Sequence, residues 1–114
     1  MKYPNDFINK VIQGDCLEIM KLMPDKCVDL VLTDPPYGVT QNEWDNVPNL
    51  PVLWKELWRV LKEDGAVVMT TQQPFTTDLI NSERDNFRYD LIWYKPLATG
   101  FLNANRMPLR NHEI

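Results

Sequence analysis

The chain is organised around residues 28–38, whose sequence is Val28-Asp29-Leu30-Val31-Leu32-Thr33-Asp34-Pro35-Pro36-Tyr37-Gly38. The apolar, β-branched run at its start has the length of one buried strand. Two prolines then end the strand, because their fixed φ and missing N–H cannot continue a β-ladder. Ligands of open α/β sheets bind outside the carboxyl ends of the strands. The sequence therefore predicts that stiff backbone holds Asp34 and Tyr37 at a ligand site, with Gly38 allowing the chain to turn afterwards.

Strands and helices alternate along the rest of the chain. Apolar residues recur at the helical period after Asp15 and after Pro51, and β-branched runs occupy the segments between them. The predicted order is a strand at 10–14, a helix at 16–23, the strand at 28–33, a loop at 40–49, a helix from 51 that Asp64-Gly65 closes, a strand at 66–71, a short helix from 75, a strand at 89–93, a loop at 97–111 and the start of a further strand at 112–114. This order predicts an α/β fold with a mostly parallel sheet and helices on both faces.

Residues at the helix ends support these boundaries. Asp15 is predicted to cap the first helix, and Glu18 three residues later completes the pattern of a capping box. Pro24 is predicted to stop that helix, and Pro51 suits the first position of the second.

Composition indicates one soluble globular domain. The 114 residues allow a modest core, and the hydrophobic (44%) and charged (25%) fractions are ordinary. No apolar run approaches the roughly 20 residues of a membrane span, and the polar N-terminus does not resemble a signal peptide. We therefore expect a cytoplasmic protein without a membrane contact. Cys16 and Cys27 have neither metal-ligand nor disulfide spacing, which predicts reduced thiols and no metal.

Charge is unevenly distributed along the chain. The formal net charge is −4, which is unusual for a nucleic-acid binder. Residues 1–83 carry −6, whereas residues 84–114 carry +2. The basic residues of that last segment are Arg84, Arg88, Lys95, Arg106 and Arg110. A cluster this small is more often solvated surface than a phosphate site, so alone it is weak evidence for DNA binding.

The segment Thr33–Gly38 resembles the catalytic motif of the S-adenosylmethionine-dependent amino-methyltransferases of DNA, which methylate N6 of adenine or N4 of cytosine. Gly14-Asp15-Cys16, followed by a helix and the Asp-Pro-Pro-Tyr strand, is similar to the start of the permuted class, whose catalytic half comes first. Later segments of that class resemble Trp93-Tyr94-Lys95-Pro96, Asn103-Ala104-Asn105-Arg106 and Arg110-Asn111-His112-Glu113. The resemblance covers nearly the whole chain. It implies a Rossmann-like fold, S-adenosyl-L-methionine as methyl donor, double-stranded DNA as substrate and a role in restriction-modification.

The motif suits methylation of an exocyclic amino group, which is a poor nucleophile because its lone pair is delocalised into the base. The Asp34 carboxylate and the Pro35 carbonyl can accept both amino hydrogens and stabilise the cation that forms. Pro36 keeps the motif rigid, and Tyr37 can stack on a base flipped out of the duplex. Asp34, Pro35, Pro36 and Tyr37 are therefore the predicted catalytic residues.

Other residues have two interpretations each. Asp15 is fully explained as a helix cap, whereas the resemblance implies a place near the adenine of the cofactor, with Asp34 also beside the cofactor. Trp93 covers the second face of a flipped base or belongs to the core. Lys95 and Arg106 contact DNA phosphates or lie in a solvated loop.

The type of methylation is also suggested by the resemblance. An Asp at the first motif position is commoner among the adenine N6 enzymes of the family, which favours adenine over cytosine N4. Methylation at carbon 5 of cytosine uses a cysteine that follows a proline, and neither Cys16 nor Cys27 does so.

The resemblance stops before two parts of the permuted class. No Phe-x-Gly-x-Gly cofactor loop occurs in this sequence, and it has only four glycines. We therefore expect residues 1–114 to be a single partial catalytic domain, the N-terminal part of a longer methyltransferase. A C-terminal segment or a partner chain would supply the target-recognition region and the cofactor loop, and the oligomeric state stays open. The sheet of such a domain should have a gap with unpaired apolar edges.

Two alternatives come from other classes. The chain could be a non-catalytic DNA-binding or subunit module that keeps the motif. It could also resemble the methyltransferases of RNA or of protein glutamine, which share a related Asn-Pro-Pro-Tyr motif. Their cofactor loop normally precedes the motif, and the 33 residues before Asp34 contain no such loop.

Overall fold

The computed structural model of the chain describes residues 1–38, 46–99 and 110–114. The elements are α1 (Cys16–Met20), β1 (Val28–Thr33), α2 (Leu50–Val60), β2 (Leu61–Met69), α3 (Phe75–Ser82), a single 3-10 turn (Arg84–Asn86), β3 (Trp93–Thr99) and β4 (Arg110–Glu113). They form two compact units. The first unit is Met1–Thr33 with Pro48–Val68, and the second unit is Asp34–Val47 with Met69–Ile114. Among the described residues, no helix is long and apolar enough to cross a membrane.

The first unit packs α1 and α2 with the parallel strand pair β1–β2. Its core is the predicted apolar stripe of α2, which buries Leu53, Trp54, Leu57 and Val60. Trp58 belongs to the same stripe but is 37% exposed, and its ring stacks on Trp54 with centroids 5.6 Å apart. The stripe therefore forms the core as predicted, except at its edge.

The helix caps are partly as predicted. The backbone N–H of Leu17 donates to Asp15 Oδ1 at 2.8 Å, which confirms Asp15 as the cap of α1. Glu18 does not complete a capping box, because its carboxylate accepts a hydrogen bond from Lys21 instead. The helix ends at Met20 rather than reaching Pro24. The α2 helix starts one residue before Pro51, with Asn49 as its cap.

The strand β1 has the predicted bounds but not the predicted burial. Leu30 is 53% exposed and Leu32 is 70% exposed. Within the described ranges β1 pairs only with β2, and the predicted strand at 10–14 is irregular, with Val11 fully exposed. A strand needs a neighbour for its hydrogen-bond ladder, and residues 10–14 have none among the described ranges. They therefore contain two two-stranded sheets instead of one sheet covered on both faces.

The end of α2 was predicted too late. The helix ends at Val60 and β2 starts at Leu61, so Asp64-Gly65 lies inside the strand. The glycine is required by a close approach of backbone. A Cβ added at Gly65 would lie 2.9 Å from the carbonyl oxygen of Asp29 on β1 and 2.6 Å from Leu61 Cδ1. The Asp-Gly pair therefore permits strand pairing rather than ending a helix.

The second unit contains α3 and the antiparallel pair β3–β4. The short helix from Phe75 is confirmed. The predicted strand at 89–93 is wrong, because the strand begins only at Trp93 and runs into the predicted loop at 97–111. The strand predicted to start at 112–114 exists as β4, but it runs antiparallel to its neighbour. The β3–β4 register shifts between Tyr94 and Thr99, and Pro96, which cannot donate to a ladder, lies in that irregular interval.

Buried threonines anchor the second unit. Thr71 and Ile114 exchange both backbone hydrogen bonds, and Thr71 Oγ1 also donates to the Ile114 carbonyl at 2.9 Å. Thr76 Oγ1 donates to Thr71 Oγ1 at 2.9 Å, and both threonines are at least 96% buried. Each buried hydroxyl thus has a partner, which removes the cost of desolvating it unpaired.

Candidate active site

The Asp-Pro-Pro-Tyr motif begins directly after β1. Thr33 is the last residue of the strand, Asp34 is exposed and Pro35 is buried. Gly38 ends the motif with φ 74°, a left-handed conformation that glycine adopts without strain. The predicted position of the motif, directly after a strand and followed by a glycine turn, is confirmed for the backbone.

Three side-chain oxygens meet at this strand tip. Thr70 Oγ1 donates to Asp34 Oδ1 at 2.5 Å, and the Tyr37 hydroxyl lies 2.9 Å from the same carboxylate oxygen. The Tyr37 hydroxyl also lies 2.7 Å from Thr70 Oγ1. Thr70 is the first residue after β2, so the carboxyl ends of two parallel strands contribute to one cluster. This is the position at which open α/β sheets bind ligands.

The Tyr37 ring has a fixed orientation. It stacks on Phe75, with ring centroids 5.6 Å apart and an interplanar angle of 21°. Phe75 is only 1% exposed, so one face of Tyr37 rests on the core of the second unit. The ring is therefore fixed by stacking at one face and by hydrogen bonding at its hydroxyl.

The cluster retains unused hydrogen-bond acceptors. The recorded hydrogen bonds to the carboxylate of Asp34 end on Oδ1, and no described residue donates to Oδ2. The carbonyl oxygen of Pro35 likewise accepts no hydrogen bond from the described residues. Two acceptors on adjacent residues at an exposed strand tip suit a ligand group with two donor hydrogens, such as an amino group.

The other predicted site residues make contacts of their own. Trp93 is 53% exposed, and the Lys95 ammonium lies 4.7 Å from its ring centroid in a cation–π contact. Asp15 lies in the first unit, where its Oδ1 caps α1. Arg106 and the loop residue Trp44 lie outside the described residues.

Two residues of the cluster were not identified from the sequence as part of the site. Thr70 was assigned to a strand and Phe75 to a short helix. Their positions in the sequence could have indicated this for Thr70. It lies at the end of the β-branched run that follows α2, just as Asp34 lies at the end of the β-branched run that precedes α2. Residues that end neighbouring parallel strands lie at the same edge of a sheet.

The described residues contain no group of three or more His, Cys, Asp or Glu side chains that could hold a metal ion. Cys16 is exposed and Cys27 is half-buried, and both are free thiols. The chemistry available at the cluster is therefore that of a carboxylate, two hydroxyls and an aromatic ring.

A parallel strand pair that leads into such a cluster is compatible with part of a methyltransferase fold. No family model matches the chain. It is 30% identical over 117 residues to Type II methyltransferase M.HinfI of Haemophilus influenzae, covering 80% of this chain and 33% of that protein. It is 32% identical over 114 residues to Type II methyltransferase M.BamHI of Bacillus amyloliquefaciens, covering 86% and 27%. It is also 32% identical over 91 residues to a probable tRNA (guanine(10)-N2)-dimethyltransferase of Methanothermococcus thermolithotrophicus, covering 80% and 52%.

Similarity to several Type II methyltransferases, together with the motif, shows that the chain belongs to the DNA amino-methyltransferase family. The chain spans between a fifth and a third of the length of the first curated relatives it matches.

Proposed function

We propose that this chain carries the catalytic motif of a DNA methyltransferase that moves a methyl group from S-adenosyl-L-methionine to N6 of a flipped adenine. One observation carries the proposal: Asp34 Oδ1 accepts a hydrogen bond from Thr70 with the Tyr37 hydroxyl 2.9 Å away, while Asp34 Oδ2 and the Pro35 carbonyl accept nothing from the described residues. A base amino group has two hydrogens to donate to that pair of acceptors.

The chain's own residues would act by orientation and charge. Hydrogen bonds to Asp34 and Pro35 turn the amino lone pair out of conjugation and towards the methyl group. They also stabilise the positive charge that grows on nitrogen during transfer, and this stabilisation is strongest when the acceptors are already fixed. Pro36 keeps the motif rigid. The proposed catalytic residues are therefore Asp34, Pro35, Pro36 and Tyr37.

Tyr37 would receive the flipped base on the ring face opposite Phe75, because Phe75 already covers the other face. Trp93, which is half exposed, would cover the second face of the base. Lys95 and Arg106 would contact DNA phosphates, where each cation releases counterions and makes binding salt-dependent.

The donor would be held in part by carboxylates. Asp34 and Asp15 are both exposed, and in each the recorded contacts use only Oδ1. The second oxygen of each can accept a hydrogen bond from an amino or hydroxyl group, and S-adenosyl-L-methionine carries both. When bound, the cofactor supplies an activated methyl group on sulfur. The remainder of its pocket would come from a C-terminal segment or a partner chain, as the missing Gly-rich loop predicts.

An RNA methyltransferase is the second candidate, because one relative is named as a probable tRNA dimethyltransferase. The Type II relatives that match over most of this chain favour DNA. The Asp at the first motif position favours adenine N6 over cytosine N4. Restriction-modification and a cytoplasmic location are part of the same proposal.

The test is transfer of a labelled methyl group from S-adenosyl-L-methionine to unmethylated DNA of mixed sequence, by the complete encoded protein. Asp34→Ala should lower the rate by about a hundredfold or more, as expected when preorganised charge stabilisation is lost. Asp85→Ala is the matched control, because Asp85 is an exposed carboxylate of the same unit in the 3-10 turn.

The methylated product identifies the substrate. Digestion to nucleosides should yield N6-methyladenine, and a tRNA arm should stay unlabelled. N4-methylcytosine would replace the adenine assignment, and labelled tRNA would support the second candidate. DNA binding without transfer to any nucleic acid would favour the non-catalytic module.

A further inference from the structure

We propose that Thr70 is a positioning residue for this methyl transfer, and that the hydroxyl of Tyr37 acts on Asp34 mainly through it. Thr70 would hold Asp34 Oδ1, so that Oδ2 is kept for the amino group of the substrate. The inference rests on the proposed function, and it assigns a task to a residue outside the Asp-Pro-Pro-Tyr motif.

A count of protons supports this order. An ionised carboxylate has no proton, so Tyr37 and Thr70 supply two protons for three close oxygen pairs. If Tyr37 donates to Thr70, which donates to Asp34, the two shortest separations of 2.7 and 2.5 Å both carry a proton. If both hydroxyls donate to Asp34, the 2.7 Å pair brings two oxygens together with no proton between them. Thr70 donates to Asp34 in either arrangement.

The backbone beside Thr70 is well anchored. The next residue, Thr71, is 4% exposed and exchanges two backbone hydrogen bonds with Ile114. Its hydroxyl is bound at the same time by Thr76. A positioning group is effective when its own support is rigid, and here that support is a buried hydrogen-bond network of the second unit.

Removing the Thr70 hydroxyl should slow the chemical step without weakening binding. In Thr70→Val, the single-turnover methyl-transfer rate at saturating DNA and donor should fall a few-fold. This is less than the roughly tenfold effect of losing one hydrogen bond to a charged group, because the Tyr37 hydroxyl can then donate to Asp34 across 2.9 Å. The KM values for DNA and donor should stay unchanged, and Thr70→Ser should restore the rate because it restores the hydroxyl. Thr77→Val is the control, since Thr77 is exposed on α3 and, among the described residues, its hydroxyl bonds only to the side chain of Gln73.

A double-mutant cycle tests the order of the hydrogen bonds. Tyr37→Phe alone should have a small effect, because Thr70 still donates to Asp34. Once Thr70 is valine, the Tyr37 hydroxyl can donate directly to Asp34 across the 2.9 Å separation. The double variant Tyr37→Phe/Thr70→Val should therefore lose more rate than the product of the two single losses.

Each outcome decides between the claims. A wild-type rate in Thr70→Val, or a change in KM alone, would overturn the positioning role and leave the proposed function standing. Loss of rate that Thr70→Ser does not restore would indicate a packing role and also overturn it. Independent, multiplying losses in the cycle would overturn the action of Tyr37 through Thr70. A wild-type protein that methylates no nucleic acid would overturn the proposed function, and this inference with it.

Discussion

Removal of Arg59 should lower the stability of the first unit and leave that of the second unit unchanged. Its guanidinium donates to the carbonyl oxygens of Met20 and Met23, at 2.7 and 2.8 Å, just beyond the last turn of α1. It also pairs with Asp25 and Glu56 at 2.8 and 2.9 Å. Both carboxylates raise the pKa of Arg59, with the Glu56 hydrogen bond the larger cause. One side chain of α2 thus binds the end of the five-residue α1.

The expected cost of Arg59→Met follows from the two carbonyl bonds. A hydrogen bond to a charged group contributes about 1.5–3 kcal/mol, and we take the lower end because the Arg59 side chain is 27% exposed and water can reach the carbonyls. Asp25 is 74% exposed, so its ion pair contributes little. The free energy of unfolding of the first unit should therefore fall by about 2–3 kcal/mol.

Urea unfolding followed by circular dichroism measures the loss, with a midpoint shift of about 1–2 M for a chain of this size. Hydrogen exchange should locate it, because amides of residues 16–24 should exchange faster while those of residues 75–82 stay protected. Arg59→Lys should recover only part of the stability, since one ammonium cannot match the planar fork of guanidinium. Unchanged protection of residues 16–24 in Arg59→Met would refute the reasoning.

Two further predictions concern charged residues of the first unit. Asp15→Asn should keep α1 stable, because asparagine caps a helix as well as aspartate does. If Asp15 contacts the methyl donor, the variant should bind S-adenosyl-L-methionine more weakly, as measured by calorimetry. Equal affinity in the variant and the wild type would leave Asp15 as a helix cap only. The Lys26 ion pair lowers the pKa of Glu63, chiefly through their hydrogen bond, and raises that of Lys26. The pair's contribution to stability should be present between the ordinary pKa values of 4.5 and 10.5, and it should be lost as the pH falls through the lowered pKa of Glu63 or rises through the raised pKa of Lys26. Glu63→Gln should remove the acid-side loss in denaturation curves recorded at successive pH values, and an unchanged pH dependence would contradict the assignment.

Local sequence was sufficient where the physical cause is local. The strand 28–33 ends at two prolines, the cap at Asp15 needs only the next two residues, and the stripe of α2 needs only the helical period. The catalytic motif is local as well, because its stiffness is built into Pro35 and Pro36.

Pairing between distant segments could not be predicted in the same way. Gly65 resembles a helix terminator by itself, and only the approach of Asp29 from β1 shows why a strand passes through it. The alternation at 89–93 suggests a strand, but the chain begins to pair only at Trp93, where residues 110–113 lie opposite. Strand pairing depends on which segments meet, and that information is not contained in either segment alone.

The sequence by itself determined that the chain carries a rigid Asp-Pro-Pro-Tyr motif after a β-strand, and this motif led to the amino-methyltransferase family. Only the tertiary structure brought Thr70 to the hydroxyl of Tyr37 and Phe75 to one face of its ring, although both lie more than 30 positions further along the chain. The physical reason is that a parallel strand pair aligns residues by their place at the carboxyl ends of the strands, whatever their separation in sequence. The motif provides the chemical groups, and the fold fixes which oxygen of Asp34 is engaged.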